Sequence, residues 1–190
     1  MARPRKHPLP SIAELQARYA YDPLTGEITI RPREGDDRKT LAFNARYAGR
    51  SVGFPMNVGY LFVKVMDQHL LAHRVGWALH YGEWPDEIDH KDGNKHNNKL
   101  DNLRSATRLQ NMANRPGRAS SGFKGVKPAR TGTRWCAYIG AREKCRYLGT
   151  FDTRELAAEA YANAARERYG DFALNPVGTI SATVMFGVAA

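Results

Sequence analysis

The tightest constraint on folding is the break at Asp92-Gly93-Asn94, set between Ile88-Asp89-His90-Lys91 and Asn102-Leu103-Arg104. An Asp-Gly pair favours the positive-φ backbone of a hairpin turn, so the chain must reverse there. The spacing predicts strand, turn, strand and then helix, with Asn111 brought back beside Asp89. Leu100, Leu103 and Leu109 read as the apolar side of that helix, which then extends from about Asn98 to Asn111. Asp89 and His90 are adjacent, and two asparagines, Asn102 and Asn111, fall 12 and 21 residues past the histidine.

These residue types suit hydrolysis of a phosphodiester. Such a reaction needs a cation to carry the charge of the pentacoordinate phosphate and a base to deprotonate water. Asp89 is an oxygen ligand for a hard cation, and His90 is the base that titrates nearest neutral pH. Taken singly, Asp89 is as well explained by a surface turn and His90 by a satisfied polar position; the ordered set carries the expectation.

Charge agrees with that chemistry. Lys and Arg number 29 against 19 Asp and Glu, a net charge of +10, which favours a polyanionic partner, most simply nucleic acid. Hydrophobic residues make up 42%, enough for a core, although each small module is marginal alone. No apolar run approaches the 18 residues or so of a membrane-spanning helix. The start, Met1-Ala2-Arg3-Pro4-Arg5-Lys6, is basic but lacks the apolar stretch of a signal peptide, so a cytoplasmic location is expected. Cys136 and Cys145 stand nine apart with no Cys-x-x-Cys, which excludes a four-cysteine zinc ribbon and leaves two free thiols as the expectation.

Five segments are expected. Residues 1–58 form an N-terminal accessory region with a helix from Ser11 to Tyr19 capped by Ser11 and Glu14, a turn at Asp22-Pro23-Leu24-Thr25-Gly26 and a strand from Glu27 to Arg31. Within it, residues 33–50 are charged and weakly patterned and read as a mobile loop. Residues 59–115 hold a hairpin, Gly59–Met66 with His69–Ala72, a helix over His73–Tyr81 stopped by Gly82, and the Asp89-His90 motif. His73 itself reads as a structural residue. Residues 116–121 are a linker. In 122–176, strands over Phe123–Lys127, Arg134–Ile139 and Lys144–Leu148 precede a helix capped by Thr153 and ended by Gly170. Alternation puts Trp135, Ala137 and Ile139 against that helix, with Cys136 and Tyr138 on the other face. Residues 177–190 are an apolar tail. The fold class expected is α+β: a strand, turn, strand and helix module plus a three-stranded antiparallel sheet packed on one helix.

Two families resemble parts of this chain. His73-Arg74, Trp84-Pro85, Ile88-Asp89-His90-Lys91-Asp92-Gly93-Asn94, Asn97-Asn98, Asn102-Leu103-Arg104, Ala106-Thr107 and Gln110-Asn111 resemble the HNH endonucleases of the phage and homing type. Gly122-Phe123-Lys124-Gly125-Val126, Arg134-Trp135-Cys136-Ala137-Tyr138-Ile139, Leu148-Gly149-Thr150-Phe151 and the Glu155, Ala157-Ala158, Ala160-Tyr161 helix resemble the Apetala/ethylene-response-factor DNA-binding domain.

The first resemblance implies a ββα-metal nuclease module in which Asp89 and Asn111 hold one Mg²⁺ or Mn²⁺ ion in preference to Zn²⁺. It makes His90 the general base and Asn102 the residue that braces the loop and holds His90. Lys91, Lys95 and Arg104 become candidate phosphate contacts. The second resemblance implies a sheet in the major groove of double-stranded DNA, with Lys124, Lys127, Arg130, Tyr138, Arg142, Lys144, Arg146 and Tyr147 toward it. Tyr138 and Tyr147 stand where that family commonly has Glu and Trp, so base specificity does not transfer. The expected activity is a metal-dependent DNA endonuclease, phage-borne or homing, acting as monomer or homodimer. The alternatives are a non-catalytic DNA-binding regulator and a phage DNA-packaging accessory protein.

Overall fold

The computed structural model describes residues 8–56, 59–115, 120–130, 132–140 and 145–173. The basic start, most of the expected linker, Arg142, Lys144 and the apolar tail lie outside them. Residues 1–107 and 108–190 form two compact units.

The first unit begins with α1 (Ile12–Arg18). Ser11 and Glu14 form a capping box, as the sequence predicts: the Ser11 hydroxyl accepts the Glu14 N–H while the Glu14 carboxylate accepts the Ser11 N–H. Strand β1 (Tyr19–Tyr21) runs straight on from the helix and pairs antiparallel with β2 (Ile28–Ile30) across the Asp22–Gly26 turn. Residues 33–50, whose pattern suggests a mobile loop, instead hold helix α2 (Arg38–Tyr47). The Asp37 carboxylate caps it by accepting the N–H groups of Lys39 and Thr40, and the Asn44 side chain bonds both backbone groups of Arg33. No residue of α2 is buried, so its position rests on these polar contacts and not on the core.

Strands β3 (Phe54–Pro55), β4 (Leu61–Val65) and β5 (Gln68–Leu71) form a second antiparallel sheet, and α3 (Ala72–Tyr81) follows directly. Gly82 ends α3 in the left-handed conformation, φ 75°, as expected of a helix-stopping glycine. One core joins these pieces: Leu15 of α1, Ile28 of β2, Val63 and Val65 of β4, and Ala72, Val75 and Ala78 of α3 are all buried together.

β6 (Glu87–His90) and β7 (Leu103–Ala106) form an antiparallel hairpin, pairing His90 with Leu103 and Asp89 with Arg104, but its second strand starts well past the Asp92-Gly93 turn. The helix expected from about Asn98 to Asn111 does not exist as such. A 3₁₀ turn covers Leu100–Asn102, β7 follows, and helix α4 spans only Arg108–Ala113 in the second unit. Leu103 is buried within the strand and Leu109 is 72% exposed, so the leucine spacing that suggests one apolar helical face is divided among three elements.

In the second unit, β8 (Val126–Pro128), β9 (Trp135–Ile139) and β10 (Arg146–Phe151) form an antiparallel sheet in the order β10-β9-β8. Helix α5 (Arg154–Tyr169), capped by the Thr153 hydroxyl, lies on it. Its small side chains let it approach closely: Ala157 and Ala158 pack with Val126, Ala137 and Trp135, and Ala164 and Ala165 with Ile139. The predicted alternation therefore holds, with Trp135, Ala137 and Ile139 on the helix side. The α+β class and the sheet-on-helix arrangement are as the sequence implies.

Candidate functional site

Asp89 and His90 sit at the end of β6 and are both buried. Strand alternation sends neighbouring side chains to opposite faces, so the two groups meet different surroundings.

Asp89 faces its cross-strand neighbour. Its Oδ2 accepts hydrogen bonds from Nε (2.9 Å) and Nη2 (2.7 Å) of Arg104. The carboxylate is 5% exposed and the guanidinium 15%. A buried carboxylate needs a cation, and Arg104 supplies one here. Sequence alone suggests Arg104 as a phosphate contact; the structure puts its guanidinium on Asp89.

His90 packs edge-on against His73, with ring centroids 4.9 Å apart, and Tyr60 lies beside both at 5.4 and 6.1 Å. Its Nε2 is 3.1 Å from Oδ1 of buried Asn98. An amide oxygen can only accept, so this contact keeps a proton on Nε2. Burial pushes the His90 pKa below its ordinary value, against the opposing pull of the Asn98 bond and the Asp92 and Asp89 charges. His90 is therefore neutral near pH 7, the state a base requires.

The loop between the strands is held by a polar network. The Asn102 side chain donates to Asp92 Oδ1 (2.9 Å) and to the Asn97 carbonyl (2.8 Å), and its oxygen accepts the Asp92 N–H (3.1 Å). Asn97 donates to Asp92 Oδ2 (2.7 Å). Burial raises the Asp92 pKa, but these donated bonds outweigh it and the carboxyl stays below its usual range. Asn102 thus braces the loop. The amide that orients the His90 ring is Asn98, which nothing in the sequence singles out within the Asn97-Asn98 pair.

Asn98 is itself clamped from the N-terminal segment. The Tyr21 hydroxyl donates to its carbonyl (2.7 Å), and the next residue but one, Leu100, donates its N–H to the Pro23 carbonyl (3.0 Å). Gly26, at φ 78°, lies so close that a Cβ there would stand 2.4 Å from the Asn98 carbonyl carbon.

His73, the expected structural histidine, is buried at 4% exposure, with no hydrogen-bond partner for Nδ1. Burial, reinforced by the neighbouring His90 and Arg74 charges, holds its pKa down to about 3. The unfolded chain takes up this proton near pH 6.5 and the folded chain only near pH 3. Between these values the unfolded state binds more protons, so stability falls as pH falls. His73 alone adds about 1.4 kcal/mol of destabilisation per pH unit over that window. Urea unfolding at pH 7, 5.5 and 4 should show a His73→Phe variant losing less stability on acidification than the parent. Parallel losses in the two proteins would refute it.

The remaining candidates are dispersed. The Lys91 ammonium bonds the Asp101 carbonyl (2.6 Å), and that of Lys95 stands 4.4 Å over the Tyr60 ring. Asn111 lies on α4 in the second unit. There the Lys124 ammonium is half-buried on the carbonyls of Met112, Ala113 and Arg115, where it caps the end of α4. Lys127 lies over the Tyr138 ring at 4.1 Å, and Tyr138 faces Tyr147 across the β9–β10 ladder. Arg130 is exposed, and Arg146 reaches Glu167 at 3.7 Å.

Among the described residues, no three His, Cys, Asp or Glu side chains converge as a metal cluster, and no helix is long and apolar enough to cross a membrane. The cation on the Asp89 carboxylate is the Arg104 guanidinium.

A family model described as HNH endonuclease matches residues 70–113. Over 88 residues the chain is 36% identical to Protein 3.8 of Escherichia phage T7, spanning 45% of this chain and 72% of that protein. No solved structure matches the chain. The family match takes in Asp89, His90, Asn102, Arg104 and Asn111 and stops before β8. The comparisons therefore lend no support to the Apetala/ethylene-response-factor resemblance of the β8–β10 sheet.

Proposed function

The chain belongs to the same family as Protein 3.8 of Escherichia phage T7 and carries an HNH endonuclease domain over residues 70–113; from that premise we propose that it is a DNA endonuclease in which His90 is the general base of a metal-assisted phosphodiester hydrolysis. The observation that carries this reading is the buried Asp89-His90 pair, with Asn98 bonding the imidazole.

Asp89 would ligate one divalent ion, Mg²⁺ or Mn²⁺. When bound, such an ion neutralises charge on the scissile phosphate. His90 would take the proton of the attacking water. Asn98 holds that ring, His73 and Tyr60 pack beside it, and Asn102 keeps the loop in register. Positioning of this kind matters because a base displaced by about 1 Å loses on the order of a hundredfold in rate.

Incubation of the pure protein with supercoiled plasmid and Mg²⁺ or Mn²⁺ should give nicked or linear product, and chelator should suppress it. Intact DNA under both ions, with DNA still bound, would favour a non-catalytic DNA-binding protein instead.

The second unit is proposed as a separate DNA-binding module. The face of its sheet away from α5 carries Lys127, Tyr138 and Tyr147, with Arg130 in the adjoining turn. Replacing Lys127 and Arg130 with Gln should weaken DNA binding and flatten its salt dependence by roughly one logarithmic unit for each phosphate no longer neutralised. Anisotropy titrations across a salt series measure this, and an unchanged slope would take both residues off the DNA.

A further inference from the structure

A cleft of about 490 Å³ opens in the N-terminal segment, lined by Ala17, Arg18, Tyr19, Ile30, Arg31, Arg33, Phe43 and Tyr47. None of these residues belongs to the segment matched by the family model. Three are arginines, three are aromatic, and none is acidic. The volume is that of a small-molecule site and too small for a duplex.

Its walls are organised. Arg31 Nε donates to the Tyr19 carbonyl (2.9 Å), which fixes that guanidinium at the cleft. The Arg33 guanidinium carbon lies 3.5 Å from the Phe43 ring centroid, stacked on its face, while Asn44 bonds the Arg33 backbone from both sides. Phe43 and Tyr47, one helical turn apart on α2, have centroids 5.1 Å apart. Tyr47 and all three arginines are exposed. Helix α2 contributes nothing to the core, yet it brings two aromatic rings to a cationic cleft.

Planar π surfaces beside guanidinium groups match a nucleobase and the phosphate attached to it. Bases stack on aromatic rings and on arginine planes, and arginine pairs with phosphate through two parallel hydrogen bonds. A paired base inside a duplex presents neither of its faces, so the fit is to an unpaired nucleotide. We infer that this cleft binds one unpaired nucleotide of the DNA substrate, its base against Phe43, Tyr47 and the Arg33 plane and its phosphate on Arg18 and Arg31. The choice of DNA over a free nucleotide rests on the endonuclease reading.

The test is anisotropy binding of the full-length protein, in chelator so that nothing is cut. The probes are two labelled duplexes of equal length, one fully paired and one with a single bulged 2-aminopurine. Phe43→Leu/Tyr47→Leu should weaken binding to the bulged duplex about tenfold and abolish 2-aminopurine quenching, with little effect on the paired duplex. Arg18→Gln/Arg31→Gln should lower the salt slope for the bulged duplex by about one to two units. Far-UV circular dichroism and urea midpoints verify that each variant is folded. Unchanged affinity for the bulged duplex, or equal loss on both duplexes, overturns the inference. So does displacement of the bulged probe by micromolar deoxyadenosine monophosphate, which would make the cleft a free-nucleotide site. Plasmid cleavage by the unmodified protein in Mg²⁺ is scored separately, so that a non-cleaving protein and a non-binding cleft are distinguishable outcomes.

Discussion

His90→Ala should lower plasmid cleavage by about 10²–10⁴-fold, the usual contribution of a positioned general base, while leaving DNA affinity nearly unchanged. The imidazole is buried and turned inward on His73, Tyr60 and Asn98, so it adds little to a surface that DNA could grip. The pH profile gives an independent signature. Burial lowers the His90 pKa, so the rate of the parent protein should stay level as pH falls to about 6.5 and decline only below that. The variant should lack this acid limb. Asn98→Ala should reproduce part of the rate loss through the tautomer and ring orientation, with the metal dependence unaltered. Cleavage by His90→Ala at the parent rate would remove the histidine from the mechanism.

Asp89→Ala should be the most destabilising single change in the motif, by about 3–5 kcal/mol, because it strips the carboxylate from a guanidinium that is only 15% exposed. A loss of cleavage in that variant would therefore mix a fold effect with a metal effect. Asp89→Asn separates them: it keeps the shape and one acceptor oxygen for Arg104 but lacks the charge that holds a hard cation. Urea unfolding should place Asp89→Asn between the parent and Asp89→Ala, whereas titration calorimetry with Mn²⁺ should show both variants weakened. The double variant Asp89→Leu/Arg104→Met should recover much of the lost stability, since apolar residues of similar volume often replace a buried ion pair at no net cost. An Asp89→Ala protein that unfolds at the parent's urea midpoint would mean that the pair contributes nothing.

Sequence patterns are most informative where a local rule and the tertiary structure demand the same thing. Ser11 and Glu14 cap α1, Gly82 stops α3, Asp92-Gly93 turns the chain at the end of β6, and Trp135, Ala137 and Ile139 alternate onto α5. They mislead where the signal is absent or borrowed. Helix α2 buries nothing and is held by the Asp37 cap and the Asn44 side chain, neither of which leaves a periodic trace. Leu100 and Leu103 match a helical period by coincidence: one begins a 3₁₀ turn and the other is a strand residue paired with His90.

The site shows the same division. Asp89 and His90 stand out because adjacent chemistry is visible in one dimension. Asn98 does not, because its value comes from a ring 3.1 Å away in space and from the Tyr21 hydroxyl 77 residues distant in sequence. Arg104 reads as one more surface cation until the ladder sets it opposite Asp89.

The turn at Asp22–Gly26 also bears on where the working nuclease begins. A fragment started at residue 59 would keep every letter of the HNH motif, yet it would lack the Tyr21 hydroxyl, the Pro23 carbonyl and the bare Gly26 surface that press Asn98 into place. The base would then lean on an unsupported loop. The N-terminal segment is thus no interchangeable cassette bolted to a self-sufficient catalyst. Recombination that swapped it would have to preserve one tyrosine, one turn and one missing side chain for the histidine to stay aimed.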